Sequence, residues 1–161
     1  MNSGSTLWLT FVALLGAGLV AGVFFAFSTF VMAALRRLPA PQGITAMQSI
    51  NVTVLTPLFM LALFGTALVC VALAVLALIH RGDPGAALVF VGAVAYLLGA
   101  ILTTAAYHVP RNLALDDVDA NAGDAPRRWS VYFTEWTRMN HVRTIGSLAA
   151  CTCFAISLRI G

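Results

Sequence analysis

Charge is absent from four long stretches of this 161-residue chain: residues 1–35, 38–80, 84–110 and 144–158. The hydrocarbon core of a bilayer takes roughly 20 apolar residues per spanning helix. Three of the stretches meet that length outright, and the fourth meets it with Val142 and Ile160 at its edges. Soluble domains carry about a quarter charged residues, whereas only 9% are charged here and 60% are hydrophobic, with a mean hydropathy of +0.92. The pattern predicts an all-α fold: a four-helix transmembrane bundle with an amphipathic lead-in to helix 4. One domain over 1–161 is expected, with helices at about 7–35, 42–79, 86–107 and 129–158.

Breakers and polar turns set those limits. Arg36, Arg37 and Pro39-Ala40-Pro41 end the first helix, and Gly18, Gly22 and Ala26 put small residues on one side of it at every fourth position. Such a stripe lets a neighbouring helix approach closely, within one chain or between two copies. Residues 42–79 are longer than one span, so the start of this stretch is expected in the membrane interface, with Pro57 kinking the helix and freeing the carbonyl of residue 53. Pro110 is expected to stop the third helix, and 111–128 reads as a solvated loop, mobile in part. Trp129, Tyr132, Phe133, Trp136, Asn140 and Arg143 then recur at spacings of three or four, which places them on one helical face.

Several classes are excluded. Nine arginines against six acidic residues give a net charge of +3, but these are scattered over loops and form no basic patch interleaved with aromatics, so no nucleic-acid partner is expected. Cys70, Cys151 and Cys153 are odd in number and all lie in apolar stretches, which is not the framework of a disulfide-stapled secreted domain. Residues 1–6 carry no Lys or Arg and the apolar run that follows is too long for a cleaved signal peptide. Arg36, Arg37, Arg111, Arg127, Arg128 and Arg138 fall on one side of the four helices, against Arg81 and Arg159 on the other. Cytoplasmic loops are rich in Lys and Arg, so an integral protein of the bacterial inner (plasma) membrane is expected, termini outside and the 3–4 loop cytoplasmic.

This topology gathers the unusual side chains at the arginine-rich end. A histidine ordinarily titrates near neutrality, so His108 suits a general base, or it hydrogen-bonds a helix-end carbonyl. Asn112 and Asn140 can hold a carbonyl or enolate oxygen, or cap helix ends; Asn51, at the apolar start of helix 2, has less need to cap and is costly if unpaired, which favours a place in the site. Arg143 lies one turn inside helix 4, where an ionised group is costly and faces a polar cavity or snorkels to the phosphate layer. Trp129, Tyr132 and Trp136 read as an interfacial aromatic belt or as the wall of a planar ligand's pocket. His108 and His141 near one membrane face would allow an axial haem pair or a copper ion, although no third ligand stands nearby and no metal is assigned.

Four segments resemble the DUF1772 family, also called the anthrone oxygenase family: Gly22-Val23-Phe24-Phe25-Ala26-Phe27-Ser28, Met47-Gln48-Ser49-Ile50-Asn51, His108-Val109-Pro110-Arg111-Asn112, and Trp136-Thr137-Arg138-Met139-Asn140-His141-Val142-Arg143-Thr144. The family often has Asn where this chain has His108, and Trp where it has Met139. The resemblance implies oxidation of anthrones to anthraquinones without a cofactor. The expected function is therefore a membrane-embedded, cofactor-independent oxygenase for a planar phenolic or anthrone-like lipophilic substrate, with His108, Asn140 and Arg143 catalytic and Asn51, Asn112, Trp129, Tyr132 and Trp136 binding the substrate. The alternative is a non-enzymatic membrane protein that binds a lipid, a lipophilic ligand or a partner protein in the same pocket.

Overall fold

The computed structural model describes residues 4–160, which form helices and turns with no strand among them. The helices are α1 (Gly4–Arg36), α2 (Ala40–Thr53), α3 (Pro57–Ile79), α4 (Ala86–Asp116) and α5 (Ala125–Ile160). All but α2 are long and apolar enough to cross a membrane, and the chain is an integral membrane protein. Only about a third of each span is buried. Side chains such as Leu15, Leu68 and Ile145 point outward, where lipid tails replace a second protein layer.

The spans form a ring in chain order, α1 on α3, α3 on α4 and α4 on α5, closed by α5 against α1. Backbone meets backbone between α4 and α5. A Cβ on Gly99 would lie 2.7 Å from the Gly146 Cα, and one on Gly146 would lie 2.9 Å from the Ala95 carbonyl oxygen. The expected Gly18, Gly22 and Ala26 stripe does not make a comparable contact. Gly22 is exposed with nothing within 4 Å of an added Cβ, and Gly18 meets only the Cys151 Sγ at 3.5 Å. The helix is rotated so that Ala13, Ala17, Val20 and Phe24 face the core instead.

The stretch 42–79, read as one kinked helix, is two helices separated at residues 54–56. Pro57 opens α3 in the first turn, where its missing N–H is not needed. The Thr56 hydroxyl oxygen accepts from the Phe59 N–H at 3.3 Å and caps that end. Pro110 does not stop α4, which runs on to Asp116. A widened π-turn at Thr104–His108 directly precedes it, and the looser backbone there accommodates the proline ring. The expected long loop shrinks to residues 117–124, pinned by the Gln48 side-chain amide donating to the Leu115 and Val118 carbonyls, each at 3.0 Å. At the start of α5 the Arg128 guanidinium donates to Asp124 at 2.6 Å and holds that carboxyl below its ordinary range.

Two cores result. One fills the ring of spans and includes Val20, Phe24, Leu63, Tyr96 and Phe154. The other joins the end of α1, α2, the end of α4 and the first turns of α5 around Met32, Met47, Leu115, Trp129 and Trp136. At the Gly99–Gly146 crossing, Gly146→Val should destabilise the fold by about 1–3 kcal/mol, the cost of overpacking. Gly22→Ala should be silent. Thermal denaturation of both variants in the same detergent tests this, and an unchanged midpoint for Gly146→Val would show that the two helices are not in backbone contact.

Candidate active site

Where the two cores meet, packing is incomplete and a cavity of about 120 Å3 remains. Its apolar wall includes Phe24 and Leu63 from one core and Met47 from the other, together with Phe27, Ile50, Val54, Leu55, Phe59, Met60 and Val109. Its polar atoms come from Asn51 on α2, Thr104, His108 and Asn112 on α4, and Trp136 and Arg143 on α5.

The Arg143 side chain is 6% exposed. Its Nε and Nη2 donate to the Asn140 Oδ1 at 3.0 and 2.6 Å, and its Nη1 donates to the Thr104 hydroxyl at 3.3 Å. The guanidinium carbon lies 4.3 Å from the Phe24 ring centroid and 4.9 Å from that of Trp136, so two aromatic faces stand where a counter-ion would otherwise be. No carboxylate pairs with it among the described residues, whereas Arg111 pairs with Glu135 and Arg128 with Asp124. A guanidinium has five N–H donors. Three are used by Asn140 and Thr104, which leaves two on a cation that borders the cavity.

Asn140 is fully buried and does not border the cavity. Its Nδ2 donates to the Phe24 carbonyl at 2.7 Å and to the Ser28 hydroxyl at 2.8 Å, and its oxygen accepts from Arg143. It is a positioning residue that fixes the guanidinium to α1. Asn112 does border the cavity. Its Oδ1 accepts from both the Tyr132 hydroxyl and the Trp136 Nε1, each at 2.9 Å, and two donors on one atom identify that atom as the oxygen. The Asn112 amide nitrogen makes no hydrogen bond among the described residues and remains a donor. Asn51 borders the cavity at its α2 edge and donates to Asp116 at 3.3 Å.

His108 is 1% exposed and stands edge-on to Trp136, with ring centroids 5.0 Å apart. Its Nδ1 lies 3.2 Å from the Thr103 carbonyl oxygen and its Nε2 lies 3.3 Å from that of Trp136. A neutral imidazole has one N–H, so it satisfies one of these carbonyls and turns a lone pair toward the other. Trp129 and Tyr132 are not on the cavity. They stack on each other at 5.8 Å inside the second core, where the Trp129 indole presses against Gly43. His141 is exposed on α5 and does not share the cavity with His108.

The cavity thus gathers Asn51, His108, Asn112, Trp136 and Arg143 of the expected set, and leaves Asn140, Trp129 and Tyr132 behind it as support. Two side chains were not singled out from the sequence. Thr104 belongs to the Thr103-Thr104 pair inside an otherwise apolar helix, and Ser28 ends the first motif; a hydroxyl in a spanning segment was the available signal.

These features define a class: a four-helix membrane protein with a small, mostly apolar cavity whose polar end is a buried, unpaired guanidinium. The chain belongs to the anthrone oxygenase family, whose model matches residues 58–153. That match takes in α3, α4 and α5 as far as Cys153, with His108, Asn112, Asn140 and Arg143 inside it. No curated protein and no solved structure matches the chain.

Replacing Asn112 with Leu strands the Tyr132 hydroxyl and the Trp136 Nε1 in a buried setting, each at about 1–3 kcal/mol. The expected result is a lowered melting midpoint together with a shift in Trp emission. A variant as stable as the parent would mean that water already serves those two donors.

Proposed function

We propose that the chain is a membrane-embedded, cofactor-independent oxygenase acting on a planar phenolic or anthrone-like lipophilic substrate. The observation that carries this reading is Arg143: a buried cation with no carboxylate and two N–H groups to spare, at the polar end of an apolar cavity. Burying such a charge is expensive unless something compensates it. A phenolate or enolate oxygen is the complementary partner, and its negative charge is largest in the reacting state, where fixed donors lower the barrier most.

An anthrone is the keto form of a phenol, and loss of its methylene proton gives an electron-rich carbanion conjugated to oxygen. His108 is the proposed proton acceptor. With Nδ1–H on the Thr103 carbonyl, the lone pair is on Nε2, 3.3 Å from the Trp136 carbonyl, on a ring that borders the cavity. The carbanion passes one electron to oxygen and the two radicals combine at that carbon. The peroxide takes up the proton, and loss of water across the C–O–O–H unit leaves a new carbonyl. One anthrone and one oxygen molecule give one quinone and one water, so no outside reductant is consumed. Arg143 and the Asn112 and Asn51 amides hold the oxygen that carries the negative charge.

Six arginines on the side of the bundle that holds α2 and the 3–4 turn, against two on the other, favour a cytoplasmic position for the site's end of the bundle in a bacterial plasma membrane. Oxygen uptake by the purified protein with anthrone tests the chemistry. One oxygen consumed per anthraquinone formed, without hydrogen peroxide, is expected. Arg143→Gln should lower the rate by about 100- to 1,000-fold, the usual loss for one oxyanion donor. Absence of turnover together with a bound lipophile that survives mild extraction would instead favour a binding protein.

A further inference from the structure

The cavity encloses about one aromatic ring and opens to the outside of the bundle, so the rest of any larger ligand extends beyond it. Its volume of about 120 Å3 falls below the roughly 300–1,000 Å3 of ordinary ligand pockets, and is near the roughly 150 Å3 that houses a single benzene ring. Yet two of its lining side chains, Leu55 and Val109, are 64% and 45% exposed. The cavity therefore reaches the outer surface of the bundle, at the break between α2 and α3 where no backbone helix closes it.

That surface faces lipid. Along α2 the exposed positions are Gln42, Thr45 and Ser49; from the next turn the large apolar Val52, Leu55, Leu58 and Leu61 are exposed, with Thr53 and Thr56 between them. The first exposed large apolar side chains mark the passage from headgroups into hydrocarbon, with short threonine hydroxyls among them at the break. On the facing helix, Tyr107 lies under the Arg111 guanidinium at 3.5 Å, which sets the same boundary beside Val109. The opening thus combines an apolar rim in the bilayer with a cationic group on the cavity wall inside.

We propose that the ligand is a single-ring phenol bearing a hydrocarbon tail, with the ring in the cavity, its oxygen on Arg143, and the tail leaving between Leu55 and Val109 into the bilayer. This rests on the reading of Arg143 as an anion site, and names the substrate class and the route by which it enters. The same oxidation holds for such a ring: the carbon para to the phenolate oxygen carries the C–H, and one phenol and one oxygen molecule give one para-quinone and one water.

The test uses the full chain in phospholipid nanodiscs and a long-chain meta-alkylphenol with a photoreactive diazirine on the first carbons of its tail. Irradiation followed by peptide mapping should label the segments holding Leu55 and Val109, and excess unlabelled alkylphenol should suppress the labelling while the same mole fraction of the corresponding alkane without a phenol ring does not. Label confined to the water-facing side of α2 at Thr45 and Ser49, or equal competition by the ringless alkane, overturns the proposal. Leu55→Trp with Val109→Trp should weaken binding of the tailed phenol about tenfold while sparing a tailless cresol, the usual cost of a steric overlap at a packed site. Equal weakening of both, or of neither, overturns it as well. Arg143→Gln reports separately on the anion site: unchanged binding of both phenols sinks that reading even where the label maps to the opening.

Discussion

The side chain of Asn140 is the point on which the rest of the site depends. A guanidinium inside a membrane bundle has no water to solvate it, and this one has no carboxylate among the described residues. Its position is set by the Asn140 oxygen on one side and the Thr104 hydroxyl on the other, and Asn140 is itself fixed by the Phe24 carbonyl and the Ser28 hydroxyl of α1. Three spans therefore converge on one cation. The arrangement holds Arg143 without neutralising it, which keeps its attraction for an anion available.

A second constraint comes from the backbone. In lipid every peptide group must find a partner within the protein, and widened helical turns disturb the regular ladder. Such turns occur at Phe27–Val31 in α1, Leu61–Gly65 in α3, and Leu97–Leu102 and Thr104–His108 in α4. Side chains serve the carbonyls in or next to them: Tyr96 donates to Leu63, Thr103 to Leu98, and Asn140 to Phe24, while His108 stands against Thr103. Turns of this kind in three different spans border the cavity. The local widening rotates Phe27, Leu63 and His108 relative to a straight helix, and the two cores fail to merge there. The cavity is thus a packing consequence of the same turns that keep Pro110 inside a helix.

Much of this was legible beforehand, and the reasons are particular. The positions of Asn51, His108, Asn112 and Arg143 could be inferred to lie together because four spans in alternating directions bring those helix ends to one side. That Asn140 would serve Arg143 instead of a ligand was not legible. The pair is three residues apart on one helix, and nothing in that spacing says whether the amide turns to the cavity or to α1. Trp129 and Tyr132 read first as an interfacial belt and second as a ligand wall, and became core because α2 folds back over them and brings Gly43 against the Trp129 indole. The stripe of Gly18 and Gly22 looked like a packing face, whereas the tight crossing uses Gly99 and Gly146, which lie on different helices and share no pattern in sequence.

By itself the sequence determined what solvent surrounds this chain, how many times it crosses, and which end carries its polar groups, because the absence of charge over a span's length leaves the bilayer as the only medium that such helices can occupy. The tertiary structure decided which of those polar groups face one another and which face a ligand. Rotation of each helix about its axis is fixed by contacts between distant residues, among them Gly99 with Gly146 and Asn140 with Phe24, and a rotation of one residue's width is enough to turn a binding group into a support.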